Sequence, residues 1–240
     1  MSSSAVALPR IRHQGPHPGI LAIVHTVLFL AGLGIVLGGK PSFPTPWESA
    51  ETMAAFFTAR SQAALACAFF QFGAAIVLGL FTVTVVNQLR FLGVRAAGAG
   101  IALFGGLATA LNMMAATFVL WTMAHPGIAQ DPAVLRALYY VSFAFGGPGF
   151  SVPLGLLMAG VCVPAHLMRL LPRWVTLFGL ALAVCGELSW LNLIFPQAVF
   201  LIPLTRFFGF VWLIAAGFLL PRTVAVKAGR SGGDPEPHAL

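Results

Sequence analysis

Two charged residues stand inside long apolar runs near the end of the chain: Glu187 within residues 174–195 and Arg206 within residues 198–220. Little more than Pro196 separates the runs, and each is long enough to cross a bilayer as an α-helix. Each charge lies about ten residues from that turn, so two antiparallel helices place both at one depth, about 14 Å in at 1.5 Å per residue. An acid and a base at matching depth on neighbouring helices are expected to pair. A charge at the bilayer centre costs roughly 2.5–3.5 kcal/mol on insertion scales, so its presence calls for a ligand, a proton path or a helix–helix latch. In the first case Arg206 grips a polar or anionic group while Glu187 holds the arginine or carries a proton. In the last, the pair only fixes the register of two helices.

Other polar residues fall near the same level. Gln71 and Asn112 lie about ten residues, and the Gly146-Gly147-Pro148-Gly149 break about nine, from the corresponding ends of their own apolar runs, at the same 1.5 Å per residue. A break at membrane depth, here at Gly147 and Pro148, frees backbone groups that protein or a water-filled cavity must satisfy. Trp190, one turn outward of Glu187, is placed to cover the pair or to stack on Arg206. His25 is the histidine of the first apolar run and lies just below this layer. Each also has a plain structural role: interhelical hydrogen bonds for Gln71 and Asn112, a satisfied buried ring for His25, kinks for the glycines and prolines.

Several membrane chemistries are excluded. A retinal Schiff base needs a lysine at depth, and Lys40 and Lys227 both lie outside the apolar runs. Bis-histidine haem ligation needs a partner for His25. An intramembrane serine protease needs a base for Ser151, and the last two apolar runs contain no histidine. An aspartyl site needs a second acid beside Glu187. No phosphate loop, zinc motif or acidic metal cluster occurs. No cofactor and no metal are therefore expected, and an enzyme is disfavoured. A lipid-modifying enzyme using Glu187 as general acid or base stays open as an alternative.

Composition sets the frame that must position these residues. The 240-residue chain is 59% hydrophobic and only 8% charged, with a mean hydropathy of +0.93. Soluble domains carry about 25% charged residues, so the fold class is all-α integral membrane, and the lipid bilayer is the first partner. The net charge of +7 resides mostly in loops and tails, where it reports topology and not nucleic-acid binding. Cys67, Cys162 and Cys185 fall in apolar segments at no ligand spacing and read as small buried hydrophobes. Eleven arginines against two lysines in an Ala/Gly/Leu-rich chain fit a bacterium with a GC-rich genome.

In order, residues 1–18 form a basic tail and six crossings follow at about 20–37, 62–86, 96–123, 137–163, 174–195 and 198–220; residues 222–240 read as a disordered tail. Between the first two crossings, Thr45, Pro46 and Glu48 read as N-cap, N1 proline and capping-box acid. They start a short helix that either lies at the interface or leads directly into the second crossing. Asp131-Pro132 caps the fourth, which is interrupted at Gly147-Pro148 and again at Pro153. Gly98, Ala102, Gly106 and Ala110 set a small residue at every fourth position of the third, a stripe for close helix approach. Arg10, Arg12, Arg90, Arg95, Arg169 and Arg173, with the basic residues after 221, fall on one set of faces; Lys40, Arg60 and Arg136 fall on the other. Both termini are then cytoplasmic, in a bacterial inner membrane.

The run from Gly146-Gly147-Pro148-Gly149 through Pro203-Leu204-Thr205-Arg206 to Trp212 and Gly217-Phe218-Leu219-Leu220-Pro221 resembles a group of uncharacterised bacterial membrane proteins of about this length, a domain-of-unknown-function family. The resemblance implies a six-helix inner-membrane protein and carries no activity. The leading expectation is binding or transport of a small polar or anionic amphiphilic ligand, a small molecule or a lipid, in a polar cavity opening to the outer side. The second is an accessory or assembly subunit docking on a membrane-protein partner, or on further copies of itself, through the small-residue stripe.

Overall fold

The structure, a computed structural model, describes residues 10–225. In a chain this apolar, backbone groups must be satisfied within each segment, and helices are what form. They are α1 (Pro18–Leu37), α2 (Ala50–Phe91), α3 (Gly98–Met123), α4 (Pro132–Gly146), α5 (Pro148–Leu167), α6 (Arg173–Leu188) and α7 (Leu201–Leu219). With α4 and α5 taken as one broken rod, six helical segments are long and apolar enough to cross a membrane. Their outward faces carry large apolar side chains such as Val27, Phe69, Phe104, Leu177 and Val211. An exterior of this kind suits lipid and not water.

The helix starts follow local chemistry. His17 Nδ1 accepts from the Gly19 amide ahead of Pro18, and Asp131 accepts from the amides of Ala133 and Val134 ahead of Pro132. The expected cap at Thr45 is displaced. Glu48 does accept from the Thr45 amide and hydroxyl, but the cap of α2 is Ser49, whose hydroxyl accepts from Thr52. Arg60 leaves helical geometry (φ −133°, ψ 33°), so a short helix over 50–59 leads through a kink into the second long helix, and the two together make up α2. The Arg60 guanidinium donates to the Ile35, Val36 and Pro41 carbonyls, so it caps the end of α1 that has no amides left to offer. Met53, Phe56 and Phe57 are buried in a cluster with Leu135 and Tyr139.

The stripe on α3 is consumed inside the bundle. A Cβ on Gly160 of α5 would stand 2.5 Å from the Ala102 amide nitrogen and 2.6 Å from the Gly98 carbonyl, so the two backbones touch there. Further along α3, Gly106 faces Thr82 and Ala110 faces Gly79, both on α2. α5 is the central rod, packed against α3, α6 and α7. It passes through Pro153 without the interruption the sequence suggested; the proline only removes the donor for the Gly149 carbonyl.

The break between α4 and α5 does form. Gly147 leaves helical geometry (φ −89°, ψ −103°), as a residue before proline tends to, and Pro148 opens α5. Beyond Leu188, α6 tightens into 3-10 turns at Ser189–Leu193 and Pro196–Phe200 before α7. Near the ends of the described chain, β1 (Arg10–Arg12) pairs antiparallel with β2 (Thr223–Ala225), so parts of the two expected tails form a ribbon. The rest of those tails, 1–9 and 226–240, lies outside the described residues.

Candidate functional site

Arg206 lies in the second turn of α7 and reaches toward the α4–α5 break. Its Nη2 donates to the Gly146 carbonyl, at the end of α4. Its guanidinium carbon sits 4.6 Å from the centre of the Phe150 ring and 5.5 Å from that of Phe29. Charge-assisted hydrogen bonds contribute about 1.5–3 kcal/mol and a desolvated cation–π contact about 2 kcal/mol. Together these are on the scale of the insertion cost of the arginine, so it can remain charged without an acid beside it. One donor stays idle: Arg206 Nε is buried and has no partner.

The guanidinium borders a cavity of about 190 Å³. Polar atoms enter its wall from Gln71, Ser142, Tyr139 and the Gly146-Gly147 backbone; Phe29, Leu33, Leu120 and Ile202 are among its apolar lining. Two hydrogen bonds brace the wall, Ser142 Oγ to the Ala116 carbonyl (3.2 Å) and Tyr139 Oη to the Pro44 carbonyl. The lining residues come from the helix halves next to loops 38–49 and 124–131 and from the start of α7, and Phe43 of the first loop reaches in. The cavity thus lies in the half of the bundle away from the β1–β2 ribbon.

The pair expected between Glu187 and Arg206 is not made. Glu187 Oε1 is buried without a hydrogen-bond partner, and it would stand 3.2 Å from a Cβ on Gly155 of α5. Equal depth along two axes leaves the direction around each axis open. Here Arg206 turns to the α4–α5 break and α1, while Glu187 turns to α5. Trp190 covers neither charge: it lies in the 3-10 turn beyond α6 with half of its surface exposed. Of the second rank of residues, Gln71 and Gly147 line the cavity and Pro148 opens α5 beside it. Asn112 packs instead against Gly149. His25 also lies off the cavity, fully buried, with Nδ1–H donating to the Ala74 carbonyl at 2.8 Å. Its ring stands 5.3 Å from that of Phe210. No cluster of metal-ligating side chains occurs among the described residues.

No family model, curated protein or solved structure matches the chain. The chemistry of the cavity therefore rests on its own geometry. Phe29 and Phe150, which hold the guanidinium, were not singled out from the sequence. Their only signals are the Gly-Pro-Gly before Phe150 and the single turn separating Phe29 from His25. Ser142 and Tyr139 carried no signal beyond being polar residues near the break.

Proposed function

We propose that the chain is a multi-pass protein of a bacterial inner membrane, termini in the cytoplasm, that binds or transports a small anionic amphiphile in the Arg206 cavity. The observation that carries this reading is the idle, buried Nε of an arginine already oriented by two rings at the edge of a cavity. A carboxylate or similar group can accept from Nε and a neighbouring Nη in the bidentate manner that suits guanidinium. The start of α5 adds to this, since its helix has no side-chain cap and its dipole favours negative charge at that end. The apolar wall would receive a short hydrocarbon portion. At about 190 Å³ the space lies below the ~300–1,000 Å³ of pockets for drug-sized ligands, which limits the guest to a small molecule or the head and first carbons of a longer one.

Native mass spectrometry of the protein solubilised mildly from its own membrane, beside Arg206→Gln, tests this. A discrete small molecule should accompany the wild type and be missing from the variant, while both insert equally. Identical adducts on the two proteins, or none on either, refute the reading. Of the two features behind the accessory-subunit alternative, the α3 stripe and the short loops, the stripe is buried against α5 and α2. Glu187, the general acid or base of the lipid-modifying alternative, does not line this cavity.

A further inference from the structure

The bundle carries its charge unevenly. At the end that holds the β1–β2 ribbon, the described residues include Arg12, Arg90, Arg95, Arg169, Arg173 and Arg222 and no acid; Glu48, Glu51 and Asp131 all lie at the other end. Two of these arginines share a cleft. Arg169 and Arg173, both exposed, line a space of about 440 Å³ with His166, where the turn after α5 runs into α6. The cleft is a fixed one. The Thr176 hydroxyl donates its proton to the Arg173 carbonyl (2.9 Å), so His166 Nδ1–H donates to Thr176 Oγ1 (3.0 Å) and the ring is locked to α6. Arg169 adopts φ +56° in the turn that ends α5, where the Leu170 amide donates back to the Ala165 carbonyl (2.8 Å). Glycine is the usual occupant of such a position, having no Cβ to strain, yet an arginine stands there.

We propose that this cleft binds the phosphate of one anionic phospholipid, whose acyl chain lies along α6. Two guanidinium groups with no acid at their end of the bundle call for an anion, and the guanidinium fork matches the oxygens of a phosphate. Basic pockets between membrane helices suit anionic headgroups for this reason. The apolar continuation decides for a lipid over a free anion. Below the cleft, Trp174, Leu177, Ala181, Val184 and Leu188 recur at helical spacing and are all exposed, so one stripe of α6 runs away from Arg173. From Trp174 to Val184 is ten residues, about 15 Å at 1.5 Å per residue, which is half of the ~30 Å hydrocarbon core. An acyl chain of one leaflet therefore has a path from cleft to midplane. Trp174 stands at the head of that path, at the level where tryptophan rings sit in membrane surfaces. A soluble phosphate would use the arginines and leave the stripe idle. The site rests on the rods crossing a membrane and is independent of the Arg206 cavity, which lies in the opposite half of the bundle.

The test is tryptophan quenching by lipids brominated on their acyl chains, with the whole protein reconstituted in vesicles of phosphatidylcholine and phosphatidylglycerol. The difference between wild type and Trp174→Phe isolates the signal of Trp174. Brominated phosphatidylglycerol should quench it at a lower mole fraction than brominated phosphatidylcholine, by about fivefold for each arginine and so roughly twenty-five-fold for the pair. Arg169→Gln combined with Arg173→Gln should bring the two lipids to parity; if that double variant fails to insert, the single ones, each losing about fivefold, carry the test. Arg90→Gln combined with Arg95→Gln removes the same charge from the same end but outside the cleft, and should keep the preference. Arg206→Gln should keep it too, which separates this site from the cavity reading. Replacing sodium chloride by sodium phosphate at constant ionic strength should change nothing. Equal quenching by the two lipids in the wild type overturns the proposal. So does a loss as large on replacing Arg90 and Arg95 as on replacing Arg169 and Arg173, because the preference then belongs to the whole charged end. A preference abolished by phosphate overturns it as well, since the ligand is then a soluble anion.

Discussion

Gly160→Ala should be disproportionately costly for a single methyl group. The new Cβ would sit 2.5 Å from the Ala102 nitrogen, 2.6 Å from the Gly98 oxygen and 2.9 Å from the Ala102 Cα, all of them backbone atoms. No rotamer change can relieve these contacts, so the two rods must separate by about 0.9 Å to reach the ~3.4 Å of ordinary contact. A pivot is blocked as well, since the backbone on the other side of the same seam approaches the Cβ position of Gly105 to 2.5 Å. A gap of 0.5–1 Å forfeits about a quarter to a half of each dispersion well along the seam. Overpacking of this kind costs about 1–3 kcal/mol, or about fivefold to a hundredfold in the unfolding equilibrium at 1.4 kcal/mol per decade. The assay is reversible unfolding in mixed detergent micelles, with Gly100→Ala as the control. Gly100 lies on α3, the partner helix of this seam, with no atom within 4 Å of its Cβ position, so its replacement should be neutral or stabilising by up to about 1 kcal/mol. Equal stability of the two variants would refute the close α3–α5 contact.

Arg60→Ala should destabilise by about 1–3 kcal/mol, because two carbonyls at the end of α1 and that of Pro41 in the following loop lose their donor, and Arg60→Lys should recover only part of it. Unfolding of the two variants beside wild type measures this. His17 gives a pH dependence. Burial lowers its pKa below the usual 6.5, with help from the Arg222 and Arg12 charges, so the folded state holds it neutral and the unfolded state takes up the extra proton. Its contribution is therefore present above about pH 6.5 and is lost as the pH falls from there toward the lowered value. His17→Asn keeps a capping acceptor and removes the titration, so the variant should gain stability relative to wild type between pH 7 and 5. A constant difference across that range would refute the assignment.

The helices were legible because an uninterrupted apolar run of bilayer length admits few other structures, and the break was legible because Gly147-Pro148 forbids the helix locally. Caps were less so. Thr45-Pro46 and Ser49 both satisfy the chemistry of a helix start, and the choice fell to the burial of Met53, Phe56 and Phe57 against α4, which no local rule contains. The depth of Arg206 could be counted from the sequence; its direction could not. Counting residues fixes position along an axis, whereas whether Arg206 meets Glu187 or Gly146 depends on rotation about two axes, at about 100° per residue. Trp190 failed for a related reason: α6 tightens into a 3-10 turn before it, and the helical spacing that put it above Glu187 ends there.

The ribbon between Arg10–Arg12 and Thr223–Ala225 has a consequence for biosynthesis. It lies next to the α1–α7 contact, where a Cβ on Gly217 would stand 2.6 Å from the Gly19 nitrogen, so the first rod made has the last rod made as a neighbour. At a translation rate of about 5–20 residues per second, α1 waits about 10–40 s for α7 to leave the ribosome. During that wait one flank of α1 faces lipid or the insertion machinery, and the ribbon cannot be tied. Closure of the helix ring is thus the final event of assembly, and a nascent chain stalled before residue 200 should remain an open, protease-sensitive arc.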